Sequence, residues 1–263
     1  MSFTTILVSD QTIAGGLVRT ITLNRPERRN ALSPEMQAEL IVAMEQAAAD
    51  RCRVLVLTGA GEAFCSGLDL AVLRTMTDAS ETDHRAHAAN VARMFRTLYE
   101  LPVPTIAAVR GPAIAGGTGL ATICDFTLAT STAKFGFTEA RIGFVPALVS
   151  AFAVLQIGDK RARDLLLTAR IFGAEEALRL GLVNEVVASE ELDARVQLLC
   201  ETLVAVSPQS HAATKRLLLA QNKAWLDAAI AAALEENAAA RTTHDFKEGV
   251  SAFLEKRKPE WAK

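Results

Sequence analysis

The residues best placed to do chemistry sit in two glycine turns. The first is Phe64-Cys65-Ser66-Gly67-Leu68-Asp69-Leu70. The second runs from Gly111-Pro112-Ala113-Ile114 through Ala115-Gly116-Gly117-Thr118-Gly119-Leu120 to Cys124-Asp125. An apolar β-like run precedes each: Arg53-Val54-Leu55-Val56-Leu57-Thr58 and Thr105-Ile106-Ala107-Ala108-Val109. A strand, a glycine turn and a helix start together aim backbone N–H groups at an anion or a polarised oxygen. Either turn alone reads first as an ordinary connection in which glycine supplies a positive φ. Two in one chain can converge on a single oxygen, the geometry that stabilises an oxyanion.

A carboxylate follows. Glu139, in Thr138-Glu139-Ala140-Arg141-Ile142-Gly143, comes directly after the strand-like Phe135-Gly136-Phe137. An acid in the first turn of a helix complements the helix dipole; beside two donor turns it is also a candidate general acid/base. Asp69 reads as the cap of the helix after the first turn. Asp125 reads as structural and Glu62 as a solvated loop residue. His84 and His87 fall on a polar helix face, with surface or packing roles. Cys65 adjoins a donor turn, but no histidine lies near it in sequence to make it a thiolate nucleophile. Basic residues cluster at Arg25, Arg28 and Arg29 and at Lys256-Arg257-Lys258, as solvated faces or as contacts for an anionic ligand.

The elements that must hold these residues can be read along the chain. Residues 4–9 and 17–23 predict a hairpin around Ala14-Gly15-Gly16. Ser33-Pro34 starts a helix, as N-cap and first helical position, with Met36, Leu40, Ala43, Met44 and Ala47 at helical spacing. A helix over 84–100 ends at Leu101-Pro102-Val103-Pro104. Residues 126–129 and 134–137 read as short strands. Helices follow over 159–168, 174–180, 189–205, 208–221, 225–241 and 245–256. The pattern is an α/β core with a C-terminal helical segment: a catalytic core over 1–200 and a self-association segment over 201–263, whose helices have no evident partner in a compact core.

Composition bounds the class. The chain has 263 residues, half of them hydrophobic, and a net charge of −2 with pI near 6.1. The charge argues against general nucleic-acid binding. No apolar run approaches the ~20 residues of a membrane span, and the N-terminus shows no signal-peptide pattern. Cys52, Cys65, Cys124 and Cys200 show no CxxC pairing or companion histidines, so no metal is expected. Reduced, buried thiols in a cytoplasmic protein are the expectation.

Taken in order, Asn24-Arg25-Pro26-Glu27 with Asn30-Ala31-Leu32, then the two glycine turns, Glu139, and Lys247-Glu248-Gly249-Val250-Ser251-Ala252-Phe253-Leu254-Glu255-Lys256-Arg257 resemble the enoyl-CoA hydratase/isomerase (crotonase) family over nearly the whole chain. The resemblance implies a spiral of ββα units, a trimer or dimer of trimers, and an acyl-CoA substrate with no separate cofactor. It implies that the N–H groups of Leu68 and Gly116 hold the thioester oxygen, each worth ~10²–10³ in rate. It implies that the backbone of Ser66, Gly67, Leu68, Asp69 and Leu70 lines the adenine site, that Gly117 adds a substrate contact, and that Phe253 and Lys256 contact CoA. Arg25 and Arg28 are added as anion contacts from the basic cluster. Leu68 stands where family members often carry alanine. Gly119 stands where two-glutamate hydratases carry their first acid/base, while Glu139 matches the second.

One glutamate suffices for a 1,3-proton shift and can also activate water. Similarity of the Gly116–Leu120 and Thr138–Ala147 stretches to a bacterial subgroup that includes enoyl-CoA and methylglutaconyl-CoA hydratases favours hydration over 3,2-isomerisation. Three rival readings fit the sequence less well. A Ser-His-Asp hydrolase built on Ser66 needs a histidine that the sequence does not supply. A dehalogenase needs a carboxylate that Val145-Pro146-Ala147-Leu148-Val149 lacks. A non-catalytic acyl-CoA-binding protein has no need of Glu139.

Overall fold

The computed structural model describes residues 3–77 and 79–262, except the side chain of Leu70. The chain opens with β1 (Ile6–Ile13) and β2 (Gly16–Leu23), an antiparallel hairpin. Its two-residue turn holds Ala14 and Gly15 at φ 48° and 79°, the mirror-image geometry that matches strand twist. Then come α1 (Pro34–Ala49), β3 (Val54–Gly59), α2 (Leu70–Met76), α3 (Glu81–Glu100), β4 (Thr105–Val109), β5 (Pro112–Ile114) and α4 (Gly116–Ile123). β6 (Phe126–Thr130), β7 (Lys134–Gly136), α5 (Ala147–Thr168), β8 (Phe172–Gly173), α6 (Ala174–Leu180) and β9 (Glu185–Val187) follow. The chain closes with α7 (Leu192–Val204), α8 (Pro208–Ala240) and α9 (His244–Leu254).

Beyond the hairpin every pairing in the main sheet is parallel, in the order β1-β2-β3-β4-β6-β9. β5, β7 and β8 form a second, smaller sheet. Alternation along β3 shows why the main sheet is covered on both faces. Val54 and Val56 pack under Leu192, Leu203 and Val204 of α7. Leu55 and Leu57 face the main core, with Leu40 and Met44 of α1 and Phe95 of α3. Buried parallel strands need this double cover, since a bare face would leave aliphatic side chains in water. Both glycine turns lie beyond the carboxyl ends of β3 and β4, where ligands of parallel sheets bind.

Three helices depart from the sequence expectation. α5 begins at Ala147 rather than 159, because Gly158 (φ 76°, ψ 160°) joins two helical stretches across a kink. The segments expected at 208–221 and 225–241 are one continuous helix, α8. Nor does α8 lack partners. Leu226, Ile230 and Ala233 join the main core, while Leu217 and Leu218, nearer its start, are exposed. His84 and His87 are buried rather than on a solvated face, because α8 packs along α3. Among the described residues no helix is long and apolar enough to cross a membrane.

Candidate active site

The two glycine turns press against each other. Gly67 has φ 87°, and a Cβ there would stand 2.9 Å from Ala115 Cβ and 3.0 Å from the Ile114 carbonyl. A Cβ on Gly117 would stand within bonding range of the Cys65 carbonyl. The approach is sealed by hydrogen bonds. Ile114 N–H donates to Cys65 O at 2.8 Å. On the other side Leu32 N–H donates to Gly67 O at 2.8 Å and Asp69 N–H to Leu32 O at 3.2 Å. These bonds occupy both neighbours of Leu68 and leave its own N–H outside the ladder. Gly116 opens α4 behind Ala115, whose φ of 53° is costly for a residue with a Cβ. Thr118 Oγ1 holds that junction, donating to Ala113 O at 2.6 Å and accepting from Gly136 N–H at 3.0 Å. Among the described residues no acceptor meets the N–H of Leu68 or of Gly116.

Both residues line a cavity of about 670 Å³ that also holds Glu139. Glu139 starts a 3-10 turn running to Ile142, ended by Gly143 at φ 65°. Its Oε2 is buried without a hydrogen-bond partner. Loss of hydration therefore pushes its pKa up to about 7, against a small opposing pull from its own backbone N–H. A carboxyl poised there exchanges protons readily at neutral pH.

The surroundings of Gly119 are apolar. A Cβ on Gly119 would come to 2.5 Å from Val149 Cγ1 and 3.4 Å from Phe95 Cζ, and both neighbours line the cavity. Val149 occupies the volume a second carboxylate would need.

Ser66, Asp69, Arg28 and Phe253 line the same cavity. Gly67 and Gly117 stand behind it as the close-contact glycines. Asp69 caps α2 by accepting from Ala71 N–H at 2.9 Å, and its other oxygen pairs with Arg25 at 2.8 Å. Arg25 also donates to Ala31 O at 2.7 Å. The structure thus places Arg25 as a brace for the first turn, outside the cavity lining, rather than as a free anion contact. Lys256 is exposed beyond α9 and also outside that lining. Leu70 opens α2 through its backbone; its side chain is outside the described part. No histidine lines the cavity among the described residues, so Ser66 has no base there. Burial drives the Cys65 thiol up to about 12, which keeps it protonated.

The sequence reading missed Asn237 and Phe144 as cavity residues. Asn237 comes from the distant α8, and Phe144, though just past the Glu139 turn, carries no spacing that marks it.

Against this geometry the comparisons are consistent. The enoyl-CoA hydratase/isomerase family profile matches residues 14–263. The chain belongs to that family. A relative from Thermus thermophilus, carrying the provisional name enoyl-CoA hydratase, is 44% identical over 93% of this chain and 97% of its own. A solved enoyl-CoA hydratase/isomerase from Xanthobacter autotrophicus superposes with a TM-score of 0.88 at 33% identity, covering 97% of this chain and 98% of the other. An enoyl-CoA hydratase from Mycobacterium avium gives 0.86 at 33% identity over 98% of each. The crotonase fold expected from the sequence is therefore present, and membership of the hydratase/isomerase family implies an acyl-CoA substrate.

Proposed function

We propose that the protein hydrates 2-enoyl-CoA thioesters with one carboxylate and two backbone donors. The observation that carries this reading is the meeting, in one largely apolar cavity, of the unpartnered Glu139 carboxyl with the free N–H groups of Leu68 and Gly116. In this reading the ionised Glu139 takes a proton from water as the water oxygen bonds to C3. The electron pair of the double bond moves onto the thioester oxygen, where the two N–H groups meet the new charge. Glu139 then returns the proton to C2, so one water is added and the carboxylate is restored. The Leu68 side chain narrows the acyl pocket, and Arg28 and Phe253 at the cavity hold the CoA portion, with Lys256 close by in sequence.

A second reading rests on Gly119. With Val149 filling the place of a second carboxylate, one glutamate could equally move a proton from C2 to C4 of a 3-enoyl thioester. Incubation with crotonyl-CoA, 3-methylglutaconyl-CoA and a 3-enoyl-CoA, with products identified by mass, separates the two. Hydration adds the mass of one water; isomerisation of the 3-enoyl thioester leaves the mass unchanged and shifts its retention. The four free, buried cysteines support a cytoplasmic setting.

A further inference from the structure

Val91 of α3, Asn237 of α8 and Phe144 all line the cavity. One helical turn along from Val91 and from Asn237 stand His87 and Arg241. Arg241 is 1% exposed, and its guanidinium lies 5.3 Å from the centroid of the Phe144 ring. Its Nη2 donates to His87 Nδ1 at 3.0 Å, which leaves the His87 proton on Nε2. Among the described residues no acceptor meets Arg241 Nε or Nη1, or His87 Nε2. Nor does any carboxylate among the described residues pair with Arg241. Glu81 and Glu235, acids on the same two helices, are held at the surface by Arg85. Asn237, 4% exposed and lining the cavity, also has its Oδ1 unpartnered; turned about its last bond, its amide presents N–H donors at that point.

A guanidinium buried without a counter-charge is a destabilising arrangement. Here it comes with further unmet donors, one helical turn behind a polar side chain that opens into a binding cavity. Leu73, Val91 and Phe144, which also line the cavity, are apolar. A methyl-ended acyl chain would leave every one of these donors unmet. An anionic end group seated on Asn237 would meet the field of Arg241 through poorly screening, water-poor surroundings.

We infer that the acyl site selects chains carrying a second carboxylate at the end remote from the thioester, with Asn237 as its contact and Arg241, steadied by His87, as its counter-charge. This rests on the reading of the cavity as the acyl site of a CoA thioester, and it names the substrate class within it.

The test uses saturated thioesters, which cannot be hydrated. Calorimetric affinities for the CoA half-thioesters of C5 to C7 dicarboxylic acids are compared with those for monocarboxylic acyl-CoA of equal length. At the best-fitting length the wild-type protein should prefer the carboxylated ligand by at least ~10-fold. In Arg241→Met that ratio should fall to about one. Asn237→Asp, which gives Arg241 an internal counter-charge, should abolish the preference in the same way and keeps the test open if the methionine variant folds poorly. Equal wild-type affinities at every length, or a preference that survives both substitutions, would overturn the inference. Hydration of crotonyl-CoA alongside equal affinities would refute this inference alone. A clear carboxylate preference without hydration of any 2-enoyl thioester would refute the hydratase reading alone.

Discussion

Glu139 is held where its charge is unwelcome, and that has a consequence for stability as well as for reactivity. Its folded pKa, about 7, lies above the ordinary 4.5. The folded state therefore holds the proton that the unfolded chain gives up. Its stabilising share is fully present below pH ~4.5 and is lost as pH rises through ~7. Glu139→Gln lacks that loss, so its melting temperature should exceed the wild type's at pH 8 by more than at pH 5. The free-energy difference between the two pH values should be no more than about 3 kcal/mol, and a gap that does not change with pH would contradict the burial argument. At Gly119 the contact with Val149 sets the outcome of restoring a carboxylate. Gly119→Glu should lose acyl-CoA binding rather than gain hydratase turnover, and Gly119→Glu with Val149→Ala should recover it, both read by ligand titration. The donors, Glu139 and the empty side-chain position at 119 were all legible because each lies in a local motif. Arg241 and His87 were not, since they stand 154 positions apart and meet only when α8 lies along α3.

The elements explain how a short 3-10 turn can hold the Glu139 carboxyl still. α9 closes on that turn with almost no space between backbones. A Cβ on Gly249 would clash with the Ile142 carbonyl group, and one on Gly143 with the Asp245 carbonyl. Gly249→Ala should therefore push the turn, costing ~1–3 kcal/mol in urea denaturation and lowering kcat well beyond what lost protein accounts for. A change confined to stability would mean that Glu139 is positioned without α9. The strands of the main sheet were legible because their apolar runs are bounded by turn residues. β5, β8 and β9 were missed because two or three residues give no periodicity. α8 was read as two helices where the polar Gln221-Asn222-Lys223 interrupts its apolar pattern. No glycine or proline stands there, and the lapse marks the passage from an exposed half to a packed half.

At the scale of the whole molecule, the packed half of α8 belongs to the main hydrophobic core, so any self-association falls to surfaces outside it. Leu217, Leu218 and Trp225 along α8, and Leu198 and Val206 on and just after α7, are all at least 44% exposed. We propose that copies of the chain meet there in a trimer-based assembly. Sedimentation at micromolar concentration should give a trimer or a dimer of trimers, and Leu218→Asp should shift it toward monomer; a monomeric wild type would dismiss the proposal. The main sheet, the two turns and α9 frame one cavity, in which the Glu139 carboxyl meets the free N–H groups of Leu68 and Gly116. The most direct test is single-turnover hydration of crotonyl-CoA by wild type and Glu139→Gln, with butyryl-CoA affinity measured on the same samples. The substitution keeps the shape and removes the titration, so the rate should fall by at least ~10² while affinity stays within about threefold. A Glu139→Gln protein that binds the ligand and still hydrates crotonyl-CoA within a few-fold of the wild-type rate would contradict the account.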